Sequence, residues 1–453
     1  MQNRDKFTTS LGVMTATLGS AVGLGNIWKF PYFTGKNGGA AFIIIYLICV
    51  VLAGLPVMIS EFVIGRRANS NPVGAFKKLA PGTAWHAIGY SGIAASFLIM
   101  LFYTGVAGWV YSYIFRAISG NFINASPEIT REVFGKLITS SYEPIIWQII
   151  VLVVVSSIII AGVQKGIERM TKALMPLLFV LLLLCDIRAL TLPGALNGVE
   201  FLFKPDFTKL TREVVIIALG LAFFKLSVGM GTMVTYGSYF DKTQNLPGTA
   251  VKVALSDILV SMMAGLAIFP AVFAFGFEPD AGPGLLFITI PMVFSKMPLG
   301  NILLAIFFLL TAIAATTAMM SLLEVPVAYL VEEKGCPRTK ATLMSAATIA
   351  LLGSTASLSA DTGSLLGGIK IFGKTFFDLY DYISSNILMP MGGLFTVIFI
   401  VWVLGKTNLE RELSNNGRLN NESVVNLFYI IVKYISPLLI ILIFLDSIGI
   451  LKF

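Results

Sequence analysis

Apolar runs of roughly 20 residues, the length that crosses a bilayer as a helix, recur along the whole chain with short polar intervals between them. Eleven stand out, at about 10–34, 41–66, 86–118, 145–163, 167–188, 212–239, 249–275, 300–331, 341–358, 376–404 and 424–449. Lys and Arg gather on alternate sides of these runs. Arg4 and Lys6 precede the first, and Arg66, Arg67, Lys77 and Lys78 follow the second. Lys165, Arg169 and Lys172 follow the fourth, Lys334, Arg338 and Lys340 the eighth, and Lys406, Arg411 and Arg418 the tenth. If the runs alternate in direction, all these clusters share one side, which the positive-inside rule makes cytoplasmic. The N-terminus is then expected in the cytoplasm and the C-terminus outside it. The intervals Gly120–Pro144, Thr191–Thr211 and Phe277–Pro298 fall outside, and the proline-rich last one is expected to fold back as a cap. Met1 to Ser10 leads straight into the first span, so no cleavable leader is expected there.

Two runs are irregular. In the first, Gly19-Ser-Ala-Val-Gly-Leu-Gly-Asn-Ile-Trp-Lys-Phe-Pro31 replaces the usual Leu, Ile and Val with glycines, small residues, Asn26, Lys29 and Pro31. Glycine and proline so close together break a helix. In lipid, broken backbone survives only where protein buries it or where it lines a cavity. Val22-Gly-Leu-Gly25 recurs in the sixth run as Val228-Gly-Met-Gly231. Runs five apart cross in opposite directions, so two matching breaks predict an inverted repeat with a binding site at the midplane. The other reading is close helix packing through small residues, although the i, i+4 glycine spacing of such contacts is missing. The expected fold is an all-α polytopic membrane protein with a five-plus-five inverted repeat, spans 1 and 6 unwound at the midplane. Residues 1–190 form the first repeat, 191–405 the second, and 406–453 a cytoplasmic linker with span 11.

Composition agrees: 56% of residues are hydrophobic and 12% charged. The net charge of +8 fits cytoplasmic loops of a membrane protein better than nucleic-acid binding. Cys49, Cys185 and Cys336 lie in apolar spans or beside a basic loop and offer no disulfide framework. His86 is the single histidine, without metal-spaced partners. No nucleophile–base pair or phosphate-cradling motif appears, so an enzyme is not expected.

The run Gly19 to Pro31 resembles the first-span signature of neurotransmitter:sodium symporters. The resemblance continues through Gly35-Lys-Asn-Gly-Gly-Ala40, Glu61-Phe-Val-Ile-Gly-Arg66, Ala222-Phe-Phe-Lys-Leu-Ser-Val-Gly-Met-Gly231, Ser321-Leu-Leu-Glu-Val-Pro326 and Phe377-Asp-Leu-Tyr-Asp-Tyr382. It covers nearly the whole chain, and eleven spans resemble the bacterial branch, in the inner membrane. It implies sodium-driven import of amino acids or related amines by alternating access. By the same resemblance, the substrate carboxylate would meet the N–H groups of Leu24 and Gly25 and the Tyr103 hydroxyl, where a half-helix dipole favours an anion. Ser20 belongs to the same substrate site, and carbonyls of Ala21, Phe224 and Ser227 would take the ammonium. Ile99, Phe224, Met230, Ala318, Ser321 and Leu322 would wall the side-chain pocket. They are apolar or small, so a hydrophobic or aromatic amino acid is expected.

The ion sites depart from the family. Its first sodium site uses the Ala21 carbonyl, Asn26, a threonine in span 6 and an Asn or Asp in span 7. Here those last two positions are Lys225 and Asp257. A mid-membrane lysine costs several kcal/mol unless paired. At 1.5 Å per residue, Lys225 lies roughly 18 Å from the outer end of its span and Asp257 roughly 10 Å from the inner end of its own. In a core about 30 Å thick the two levels nearly coincide. The expectation is that the Lys225 ammonium takes the sodium position, pairs with Asp257 and reaches Asn26. Snorkelling to an aqueous vestibule is the alternative. Asp257 also brings the negative charge that chloride supplies in other members, so no chloride is expected. The second sodium site would use carbonyls of Gly19, Val22 and Ala314 with Thr317. Ala318 stands where the family usually has serine, and Thr316 is one residue off. Sodium binding there is expected to be weak, with proton coupling or plain exchange as alternatives.

Lys29 and Asp381 match the outer gate pair, with lysine where arginine is usual, above a lid of Tyr103 and Phe224. Arg4 and Glu332 match the inner latch, with Phe7 in place of tryptophan. Glu61 is expected to bond backbone near the hinge. A channel or substrate sensor on the same scaffold is the reading from another class. The expected partners are an amino-acid substrate and the lipid bilayer.

Overall fold

The computed structural model describes residues 5–276 and 284–451. Residues 277–283 of the outer interval before span 8, with Pro279 and Pro283, and Arg4 lie outside the described residues. Secondary structure is helical throughout, apart from an isolated bridge between Ile371 and Lys374 among the described residues. Eleven crossings follow one another as expected. Span 1 is Ser10–Ala21 with Gly25–Lys36, span 2 Ala40–Ala68, span 3 His86–Ile118, span 4 Glu143–Ile160 and span 5 Val163–Leu190. Span 6 is Arg212–Lys225 with Thr232–Gly237, span 7 Leu246–Ala274 and span 8 Gly300–Lys334. Span 9 is Arg338–Ser357, span 10 Phe376–Leu404 and span 11 Glu422–Ser447. Leu285–Ser295, in the outer interval before span 8, is a short apolar helix.

Both irregular runs are broken. The halves of span 1 are inclined at 54°, with Val22 in extended backbone at ψ 113°. Between Lys225 and Thr232, span 6 passes through three residues of positive φ: Ser227 at 52°, Gly229 at 78° and Gly231 at 76°. Gly229 is required on a second ground, since a Cβ there would collide with the Met389 carbonyl oxygen in span 10.

Five prolines share one solution, while Pro176, Pro270 and Pro326 sit inside regular helix. Pro31, Pro56, Pro291, Pro390 and Pro437 each lie two residues beyond a widened, π-type turn, at Gly25–Lys29, Val50–Gly54, Leu285–Thr289, Tyr382–Leu388 and Ile431–Ile435. Proline lacks an N–H and its ring strikes the carbonyl one turn back. An extra residue in that turn moves the carbonyl aside, so the helix continues through the proline.

Spans 3, 4, 8 and 9 pack on one another, and spans 1, 2, 6 and 7 form a second group against them. The breaks in spans 1 and 6 face each other between these two groups.

Candidate functional site

The two breaks and the faces of spans 3 and 8 enclose a small cavity of about 30 Å³. Ser20, Ala21, Gly25, Ile99, Tyr103, Phe224, Ser227, Met230, Ala318 and Leu322 line it, as do Gly23 and Lys225, which the family resemblance did not put in the substrate site. Ser321 and Leu24 stand behind the wall. The Ser321 hydroxyl accepts from Ser20 at 2.8 Å and donates to the Ala318 carbonyl at 2.8 Å. The Leu24 N–H donates to the Tyr103 hydroxyl at 2.8 Å. This close approach requires Gly23, where a Cβ would lie 2.8 Å from the same hydroxyl. The Ser227 hydroxyl donates to the Ser20 carbonyl at 2.8 Å, tying the two breaks together directly. The carbonyls of Phe224 and Ser227 accept from the Ser227 N–H and the Thr232 hydroxyl.

Lys225 turns inward to Asp257. Nζ lies 3.0 Å from Asp257 Oδ2, and neither side chain touches solvent. It donates to the Tyr46 hydroxyl at 2.9 Å and to Ser261 Oγ, so its three N–H donors meet three acceptors. The Phe30 and Tyr46 rings each lie 4.8 Å from it. Asp257 is equally satisfied, because Asn26 Nδ2 donates to Oδ1 at 2.6 Å. Lys225 does not bond Asn26 itself; the two meet on Asp257 and Ser261, which also accepts from Asn26 at 3.0 Å. From Asn26 the network reaches the break, where the Gly23 N–H donates to Oδ1 at 3.1 Å. Sequence reasoning missed Tyr46 and Ser261. Ser261 had a legible signal, standing one helical turn beyond Asp257 on the same face.

That network also exposes carbonyls. Gly23 N–H goes to Asn26 and Asn26 N–H goes to the Gly23 carbonyl. Gly19 and Val22 therefore lose the N–H groups that a continuous helix would give them. Gly19 lies close against Thr317, so that a Cβ on the glycine would stand 3.2 Å from the threonine Cβ. The Thr317 hydroxyl bonds back to the carbonyls of Ile313 and Ala314, both at 3.1 Å. Thr316 is committed elsewhere, to Tyr111 at 2.7 Å and to the Ala312 carbonyl.

Lys29 Nζ sits 3.9 Å from Asp381 Oδ1, with both side chains partly exposed, and 3.8 Å above the Phe224 ring. On the basic face Phe7 is buried edge-on against Tyr236 and Tyr239. Glu332 accepts from the Asn71 N–H at 2.8 Å. Its expected partner Arg4 lies outside the described residues.

A helical membrane bundle in which two crossings break in the middle and face each other across an enclosed cavity is a secondary transporter of inverted-repeat type. The sodium:neurotransmitter symporter family model matches residues 4–128 and 136–452. The chain belongs to that family, whose members are transporters and not enzymes. It is similar to the uncharacterized sodium-dependent transporter YhdH of Bacillus subtilis, 41% identical over 99% of this chain and 98% of the relative. An uncharacterized sodium-dependent transporter of Haemophilus influenzae is 38% identical over 98% of both chains. Among solved structures, MhsT in complex with L-phenylalanine is similar at a TM-score of 0.90 and 42% identity, covering 98% of this chain and all of that one.

Proposed function

We propose that the protein imports a small hydrophobic or aromatic amino acid across the bacterial inner membrane by alternating access, with the Lys225 ammonium in the first ion position. The N-terminus faces the cytoplasm and the C-terminus the opposite side. One observation carries the ion assignment: Lys225 is sealed from solvent and fully hydrogen-bonded against Asp257. A fixed cation in that place removes the need for a first sodium, and Asp257 removes the need for chloride. The apolar walls at Ile99, Met230, Ala318 and Leu322, and the L-phenylalanine bound by the similar MhsT, support the substrate class.

One sodium would bind at the second site through the carbonyls of Gly19, Val22 and Ala314 and the hydroxyl of Thr317. The carbonyls freed by the span 1 break suit a hard cation. Ala318, in place of a second hydroxyl, favours another reading, in which sodium binds weakly and uptake runs by proton coupling or exchange.

Uptake of L-phenylalanine into proteoliposomes, with external sodium replaced by choline at two external pH values, separates these readings. Sodium dependence with a stoichiometry of a single ion is expected, and Lys225→Thr should add one sodium per substrate. An unchanged sodium affinity and stoichiometry in Lys225→Thr would sink the internal-cation assignment.

A further inference from the structure

Glu61 lies in the middle of span 2, 1% exposed. Its Oε1 accepts the N–H of Gly229 at 2.8 Å, inside the span 6 hinge. Its Oε2 has no hydrogen-bond partner among the described residues. Glu61 borders a cavity of about 10 Å³ walled by Gly92, Gly229, Gly231 and Thr396, among others, a size that admits a single water. We propose that Glu61 is a proton-binding site, neutral while the hinge has the shape seen here and ionised when the hinge opens and admits water.

The contrast with three other buried carboxylates in the spans supports this, while Asp186 in span 5, 5% exposed with its Oδ1 unbonded, shares the lack of a cation among the described residues. Asp257 has Lys225, Glu324 has Arg338 at 2.5 Å, and Glu168 has Lys172 at 2.6 Å. Each of these three has a cation within ion-pair distance. Glu61 has one amide N–H and no cation, and a buried charge so weakly compensated takes up a proton instead. In the neutral acid Oε1 is the carbonyl oxygen and still accepts from Gly229. The proton sits on Oε2. It comes from water and returns to water when the carboxyl ionises, with no other reactant.

The surrounding ionisable groups leave Glu61 alone. On the elements packed against span 2, Asp257 is paired with Lys225, Lys77 with Glu333, Lys406 with Glu410, and Glu412 with Arg66 and Arg67. Lys78 bonds the Ala68 carbonyl. Lys36, Arg212, Glu213, Lys252 and Arg411 are exposed, Glu200 pairs with Lys204, Asp446 is half-buried at the end of span 11, and Lys433 stacks on Tyr434. The Tyr236 hydroxyl is buried without a bond to Glu61.

Neighbouring cavities lie toward the basic face. The small cavity shares Ile88 and Gly392 with a larger apolar cavity between spans 3 and 10. That one shares Ala84 with a surface cavity rimmed by Lys77 and His86.

The test uses the full-length protein in lipid nanodiscs, without substrate or sodium, so its outcome stands apart from the transport reading. Infrared difference spectra across a pH series should show a protonated-carboxyl stretch at neutral pH that is lost in Glu61→Gln. Should that variant not fold, Glu61→Asp serves, and its band should shift in frequency. Hydrogen–deuterium exchange of residues 226–231, corrected for intrinsic rate, should rise with pH in the parent and stay flat in Glu61→Gln. A spectrum unchanged by either substitution, or hinge exchange with the same pH profile in parent and variant, overturns the proposal.

Discussion

A lone ammonium in the centre of a membrane protein is tolerable because of what surrounds it, and Lys225 shows how much is needed. Three acceptors, two ring faces and a carboxylate converge on it. Removing one partner of such a pair leaves the other as an uncompensated buried charge, which costs about 3–5 kcal/mol. Lys225→Met should therefore lower the thermal midpoint in detergent strongly. Lys225→Met with Asp257→Asn should recover much of the loss, because the remaining amide carries no charge. A double variant no more stable than Lys225→Met would mean that the pair holds the site by shape and not by charge. The family resemblance brought Lys225 and Asp257 to one site, and depth along two helices, countable at a fixed rise per residue, allowed the pairing. It could not bring Tyr46 to them. Which face of span 2 meets span 6 depends on packing between helices, and no local pattern around Tyr46 encodes it. Ser321 stands at the expected level of span 8, with its hydroxyl bonded to Ser20 and the Ala318 carbonyl.

At the scale of elements, the hinge of span 6 is held by backbone geometry that only some residues can adopt. Gly229 has φ 78° and no room for a Cβ against span 10. Gly229→Ala combines strain at positive φ, costing more than about 1 kcal/mol, with a steric collision. It should abolish uptake and lower the thermal midpoint. Gly220, in the regular half of the same span, has nothing within 4 Å of a built Cβ, so Gly220→Ala should leave both unchanged. Equal effects at the two glycines would show that the hinge is no more demanding than ordinary helix. The breaks themselves were legible because Gly, Asn and Pro interrupt an apolar run with a physical consequence in lipid. Length and apolarity alone find eight unbroken crossings and one bent pair among the described residues. They miss span 6, whose halves have 14 and 6 residues, and span 9, diluted by Ser and Thr. The widened turn before each of five prolines was not legible, since proline states that a turn must yield but not how.

Across the whole molecule, the bonds of spans 1 and 6 to the spans around them differ from one face to the other. On the basic face the Tyr239 hydroxyl of the span 6 segment donates to Glu324 of span 8 at 2.6 Å. Glu324 is held in turn by Arg338, which also donates to the Ile159 carbonyl of span 4 at 2.7 Å. The Phe7 N–H donates to the Tyr239 carbonyl at 3.1 Å, closing the N-terminal segment over the same point. On the opposite face Lys29 and Asp381 stand 3.9 Å apart and partly exposed, an arrangement worth about 0–1 kcal/mol. A hydrogen bond to a charged acceptor contributes about 1.5–3 kcal/mol. The basic face is thus the more firmly bonded of the two. Tyr239→Phe removes the bond to Glu324 while Arg338 still neutralises that carboxylate, so the variant should fold. By the arithmetic of about 1.4 kcal/mol per factor of ten, it should raise the population open at the basic face roughly tenfold or more. Spin labels at the exposed positions Leu255 in span 7 and Leu343 in span 9, on a cysteine-free background, would report this as a longer-distance component in electron–electron resonance. Distance distributions that stay the same in Tyr239→Phe would place the lock elsewhere, in the packing of Phe7 against Tyr236.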